Sequence, residues 1–222
     1  MAGYSWSDLS VSAQNKATQI YQWLLSYYGS AAGVSAIMGN MWIESAATFD
    51  GRICENYNES DLDTYCEQYT EDVDDGIITR SQFENAGWGY GLMQWTWSSR
   101  RVGLYDFCFN NGYTSIGYSG MQVDYIYYEM TTDSSYATSY NAAINATEDN
   151  IDQTTQTIMT NYLRPDPGSA NLPGRQEASR SIYNALSGLP PIPPGPPVPS
   201  IDDILFLKHF INRNYKVKRS II

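Results

Sequence analysis

Apolar positions in the first fifth of the chain recur with a helical rhythm. Ala13, Ala17, Ile20, Leu24 and Tyr27 follow one another at spacings of four and three, which stacks them on one face of a helix. Gly29 follows as a stop signal. Ser30 is an N-cap candidate for a second helix, "AAGVSAIMGNMWIES". That segment is apolar nearly all round, so it is expected to be central and buried. Its small residues Ala32, Gly33, Ala36 and Gly39 would let neighbouring elements approach closely. The rhythm then breaks. Residues 50–87 are polar and acidic, with turn signals at Asp74-Asp75-Gly76 and Asn85-Ala86-Gly87, and predict an irregular excursion with room for a short hairpin.

Helical periodicity resumes near residue 99. Ser98 or Ser99 can cap a helix running to about Asn110, with Val102, Tyr105, Cys108 and Phe109 inward. Further helices fit 119–132, 135–146, 148–163 and 173–187. Thr147 and Asn150 form a cap for the third of these, and Pro165 ends it. "LPPIPPGPPVP" (189–199) reads as a semi-rigid extended linker. Beyond it, Ser200-x-x-Asp203 resembles a capping box ahead of "ILFLKHFIN". The expected fold class is therefore mainly α: a helical domain at 1–188, a proline-rich linker at 189–199 and an amphipathic basic tail helix at 200–222.

Composition narrows the function. The 222 residues suffice for one sizeable core. Residues 1–199 hold 8 basic against 22 acidic residues, a net −14, whereas 200–222 hold five against two, a net +3. An acidic body argues against nucleic acid as a partner, because phosphates demand a basic face. The first fourteen residues lack the basic and apolar regions of a signal peptide. No run approaches 18 apolar residues, so no membrane span is expected. The 19 tyrosines and six tryptophans suit sugar binding as well as core packing.

The three cysteines include no CxxC, and the sole histidine, His209, lies in the tail, so no metal site or cofactor is expected. A calcium loop over Glu71–Gln82 fails because Val73 and Gln82 would occupy ligand positions. Cys54 and Cys66 flank a short polar loop and either bridge across it or remain thiols.

Glu44 is the best catalytic candidate. It closes the apolar helix. Burial and the negative end of the helix dipole would both disfavour its charged form, leaving the protonated carboxyl that glycoside cleavage needs as a general acid. The segment "WGYGLMQWTW" (88–97) supplies Gly-x-Gly, an amide and several rings with polar edges, a composition suited to a flat, partly polar ligand.

Read in order, "IMGNMWIES" (37–45), "DDGIITRSQF" (74–83), "GYGLMQWTWSSRR" (89–101), "SIGYSGMQ" (115–122) and "YLRPDP" (162–167) resemble the phage tail lysozyme family, within the lysozyme-like superfamily. The likeness spans about residues 10–187. It implies a lysozyme-like all-α fold that cleaves the β-1,4 glycan strand of bacterial peptidoglycan. It carries the general acid onto Glu44 and sets Gly89, Tyr90, Gly91, Gln94, Trp95 and Trp97 against an N-acetylated sugar, with the two glycines admitting backbone to the glycan. One position departs from the pattern: Leu163 stands where many members have glutamate. The second carboxylate is unassigned, with Asp50 and Glu55 as candidates; without one, Glu44 would serve as acid and base and give 1,6-anhydro products.

The resemblance also implies a virion-borne enzyme acting on the host wall, with residues 189–222 docking into other tail proteins. The competing readings are a non-enzymatic tail component and a chitinase-like enzyme of the same superfamily.

Overall fold

The computed structural model describes residues 3–55 and 61–193; the tail helix expected at 200–222 lies outside them. Among the described residues the regular structure is helical. It comprises α1 (Val11–Tyr28), α2 (Ala31–Glu44), α3 (Leu62–Asp74), α4 (Arg80–Glu84), α5 (Ser98–Asn110), α6 (Ser119–Thr132), α7 (Ala137–Ile144), α8 (Ile151–Ile158) and α9 (Leu172–Leu186). The expected mainly α class holds. No described helix is long and apolar enough to cross a membrane.

Helix α2 is the axis of the molecule. Ser30 caps it by accepting from the Gly33 N–H at 3.0 Å. Every residue from Ala32 to Trp42 is buried, as expected for a helix apolar on all sides. It packs against α9 along most of its length and against α1, α7 and α8 on its other faces. The small residues make this possible. A Cβ on Gly39 would meet the Ser179 Oγ of α9 at 1.9 Å, so only glycine admits α9 there. Asn40, the one large polar residue inside, is satisfied: its Nδ2 donates to the carbonyls of Ala36 and Thr155.

The excursion over 50–87 is more ordered than its polarity predicts. It holds α3 and α4, and instead of a hairpin there is an isolated antiparallel bridge between Cys54 and Tyr90. Asp61 caps α3 by accepting from Thr64 N–H. Its inner face is Cys66, Tyr69, Thr70 and Val73, a helical spacing that the acidic residues between them conceal. Two other expectations shift. Trp97, not Ser98 or Ser99, is the N-cap of α5, and the buried face of α5 is Arg101, Leu104 and Cys108, with Val102, Tyr105 and Phe109 half-buried. The helix expected over 148–163 is a composite: a 3-10 turn at Glu148–Asn150, α8, and a π-helical turn at Met159–Leu163. Thr147 and Asn150 do form a capping box. After α9, the first linker residues lie along α1, where Ile192 N–H donates to the Gln22 carbonyl and Gln22 Nε2 to that of Pro190.

Cys54 and Cys66 are joined in a disulfide with Cα atoms 5.5 Å apart, while Cys108 is a buried free thiol. The bridge ties α3 to the strand-like segment beside Tyr90. By loop-closure entropy it is worth about 2–3 kcal/mol. Reduction, or a Cys54→Ala/Cys66→Ala pair, is expected to lower stability by that amount in denaturant titration. A change below ~0.5 kcal/mol would show that packing of α3 alone holds the segment.

Candidate active site

A cleft of about 870 Å³ opens at the C-terminal end of α2. Glu44 lies at its floor. One part of the lining comes from Ile53–Glu55 and the loop from Ala86 to Trp97. The other comes from Tyr136 and the stretch from Tyr162 to Ser169.

The backbone turns sharply away just after Glu44. Ala46, Ala47 and Phe49 all adopt left-handed φ (48°, 63° and 51°), a conformation costing non-glycine residues of order 1–3 kcal/mol each. Hydrogen bonds from the N–H groups of Ala46, Ala47 and Phe49 to the Ile43 carbonyl, the Trp42 carbonyl and the Ser45 Oγ hold this strain at the point where the carboxyl emerges.

The Glu44 carboxyl is 15% exposed and pairs with Arg175 of α9, Nη2 to Oε1 at 2.7 Å. Arg175 is fully enclosed. Its Nε donates to the Ala170 carbonyl and its Nη1 to the Asn40 carbonyl, so its position is fixed by backbone at both ends of the guanidinium. Burial raises the Glu44 pKa above its ordinary value, and the nearby Glu55 charge adds to that rise. Arg175 and Arg100 oppose it without cancelling it. The result is a carboxyl whose protonated form is favoured by burial, beside a guanidinium that is itself held in place, a combination suited to proton donation.

The two second-carboxylate candidates separate. Glu55 is exposed, lines the cleft with Glu44, and is fixed through its backbone N–H to the Gly89 carbonyl at 2.9 Å. Asp50 does not line this cleft; it belongs to an adjoining cavity of about 550 Å³. Burial would raise its pKa, but hydrogen bonds from Arg52 and Lys16 more than offset that and hold it well below the usual carboxylate range. Lys16 Nζ sits 2.6 Å from Asp50 Oδ2. So weak a base, doubly ion-paired, is unsuited to activating water. A third acid, Asp166, lines the cleft as well; its place after the "YLRP" tetrapeptide was the available signal.

The aromatic expectations divide too. Trp97 is 60% exposed at the cleft rim, free to stack on a ring. Tyr90 and Trp95 are fully buried and do not face the cleft. The Tyr90 hydroxyl pairs with Thr70 Oγ1 at 2.8 Å, and Trp95 Nε1 donates to Glu129 Oε2 at 2.9 Å. Both are core residues whose polar edges found internal partners. Trp88, half-buried, lines the cleft instead. It lies under the Arg101 guanidinium, 4.9 Å from the ring centroid.

Gln94 lines the cleft in a left-handed conformation (φ 49°). Its Nε2 is turned inward to the Gly91 and Ile53 carbonyls. The two glycines serve the protein more than a ligand. A Cβ on Gly89 would meet Gln94 Oε1 at 2.3 Å, and one on Gly91 would meet Gln122 Oε1 at 2.6 Å. Gln122 is buried and ties the loops together, accepting from Leu92 N–H and donating to the Gly51 and Ile116 carbonyls.

Behind the cleft lies a network that periodicity does not reveal. Glu129 of α6 accepts from Arg100 Nε and Nη2 (2.9 and 2.6 Å), from Trp95 Nε1 and from the Tyr162 hydroxyl (2.6 Å). Arg100 also lies over the Tyr162 ring, 4.5 Å from its centroid. Among the described residues no group of three or more His, Cys, Asp or Glu side chains is arranged to hold a metal ion.

The family model described as phage tail lysozyme matches residues 15–186, which include Glu44 and the whole of the cleft lining. No curated protein and no solved structure matches the chain.

Proposed function

The chain belongs to the phage tail lysozyme family, and from that premise we propose that it hydrolyses the β-1,4 glycan strand of bacterial peptidoglycan, with Glu44 as general acid. One observation carries the reading. Glu44 ends a buried helix at the floor of a cleft, with a raised pKa and a fixed partner in Arg175. In the proposed reaction its proton goes to the glycosidic oxygen as the C–O bond breaks, and positive charge develops at the anomeric carbon.

Glu55 is the carboxylate we assign to activating water, because it shares the cleft and its charge is felt at Glu44. Trp97, with Trp88, offers faces for sugar rings, and Gln94 Oε1 an acceptor for an acetamido N–H. We further propose that the enzyme is carried in the virion tail, acts on the host wall, and docks there through residues 189–222.

The test is mass spectrometry of a wall digest by the purified protein. Hydrolysis leaves reducing muramic ends that carry the elements of water. Anhydro ends would assign Glu44 both proton transfers and remove Glu55 from the mechanism. Absence of any cleavage by well-folded protein would leave a binding or assembly role.

A further inference from the structure

Three arginines line the cleft: Arg100, Arg164 and Arg175. Two of them are held in salt bridges, Arg100 with Glu129 and Arg175 with Glu44. Arg164 is not. Among the described residues it joins no ion pair, and the single hydrogen bond of its side chain runs from Nε to the Asn161 carbonyl at 2.9 Å. Both Nη groups are left to solvent, on a body of net charge −14 over residues 1–199.

Its backbone is unusual as well. Arg164 is left-handed (φ 57°) and terminates the π-helical turn Met159–Leu163, with its N–H donating to the Met159 carbonyl. π-turns and left-handed non-glycine residues are both uncommon and concentrate at functional sites. Here they bring the guanidinium to the cleft lining, with its Cζ 5.4 Å from the Tyr136 ring centroid. The ring and the Nε bond limit its freedom, so less conformational freedom is lost when it binds.

On the reading of the cleft as a peptidoglycan site, we propose that Arg164 is a substrate-binding residue that receives a carboxylate of the glycan's muramyl branch. Glu55 and Asp166 also line the cleft and would repel an anion elsewhere in it. The unpaired guanidinium is where an anion gains most, through two parallel charge-assisted hydrogen bonds. A glycan of N-acetylglucosamine alone has no such group, so this contact would select peptidoglycan over chitin. The carboxylate has two sources: the stem peptide, or the lactyl group of muramic acid that has lost its peptide.

The experiment compares native walls, amidase-stripped walls and walls whose carboxylates have been converted to neutral amides with carbodiimide. On native walls Arg164→Ala is expected to lower kcat/KM about 10–100-fold, mostly through KM, with Arg164→Lys recovering part of the loss. On amidated walls the wild type should fall by a similar factor, and Arg164→Ala should lose nothing further. A larger Arg164→Ala effect on stripped than on native walls would assign the lactyl carboxylate; the reverse, the stem peptide. An equal Arg164→Ala loss on native and amidated walls would reduce Arg164 to a structural role, and no loss on any wall would discard it. Binding is read separately by pelleting Glu44→Gln protein, with and without Arg164→Ala, on native and amidated walls. That arm needs no turnover, so it tests Arg164 even if the hydrolase reading fails.

Discussion

Glu44→Gln is expected to lower the rate of wall lysis by ~10²–10⁴-fold, the range for loss of a positioned general acid, while leaving the protein folded. Gln fills the same space but has no proton to give at any pH of interest. Arg175 loses a charged partner in this variant but keeps the Ala170 and Asn40 carbonyls. The effect on stability follows from the sign of the pKa shift. Burial raises the folded-state pKa of Glu44, so its contribution to stability is present below the unfolded-state value and is lost as pH rises through the folded one. Above the folded-state pKa the ionised group therefore gives nothing that Gln removes. The variant should melt no lower than the wild type there. In the wild type, activity should fall on the alkaline side as Glu44 ionises, at a pH above the ordinary glutamate value. Lysis at the wild-type rate by folded Glu44→Gln protein would take Glu44 out of the mechanism.

The place of Glu44 at the end of a buried helix was legible because two physical cues coincide in sequence: an all-round apolar helix and an acid at its last residue. Central α2 was legible for the same reason. Tyr90 and Trp95 were not separable from Trp88 and Trp97 in a linear reading. All four sit within ten residues, and a ring with a polar edge fits a sugar or a buried partner equally well. What divides them is where Thr70 and Glu129 lie, and those come from α3 and α6. Helix α3 escaped because acidic residues sit between its buried positions. The polar network of Arg100, Glu129 and Tyr162 escaped because its members lie on three elements. The one cue was Glu129 between Ile126 and Met130, a charge on a face otherwise turned inward. Asp50 and Glu55 looked equivalent by distance along the chain. In the fold Asp50 instead lines a different cavity, paired with Arg52 and with Lys16, 34 residues upstream.

That network leads to the largest expected effect on stability. Glu129 is 7% exposed and Arg100 nearly as enclosed. Removing one partner of a buried ion pair leaves the other charged and uncompensated, a cost of about 3–5 kcal/mol. Glu129→Ala also strips an acceptor from Trp95 Nε1 and from the Tyr162 hydroxyl, both buried. For a chain of this size the loss corresponds to a Tm lower by roughly 10 °C. Glu129→Gln keeps the shape and some of the hydrogen bonds but not the charge, so it should unfold at an intermediate temperature. It also has a readout at the active site. Arg100 already acts to lower the pKa of Glu44, and freeing its charge from Glu129 would strengthen that pull. The alkaline limb of the lysis profile should then move to lower pH in Glu129→Gln. If the pair matters through its unbalanced charge, Arg100→Met combined with Glu129→Leu should recover much of the stability lost in Glu129→Ala. A double variant as unstable as the sum of its parts would assign the loss to the orphaned Trp95 and Tyr162 donors instead. An unmoved pH limb in Glu129→Gln would mean that Arg100 and Glu44 are not electrostatically linked across the cleft.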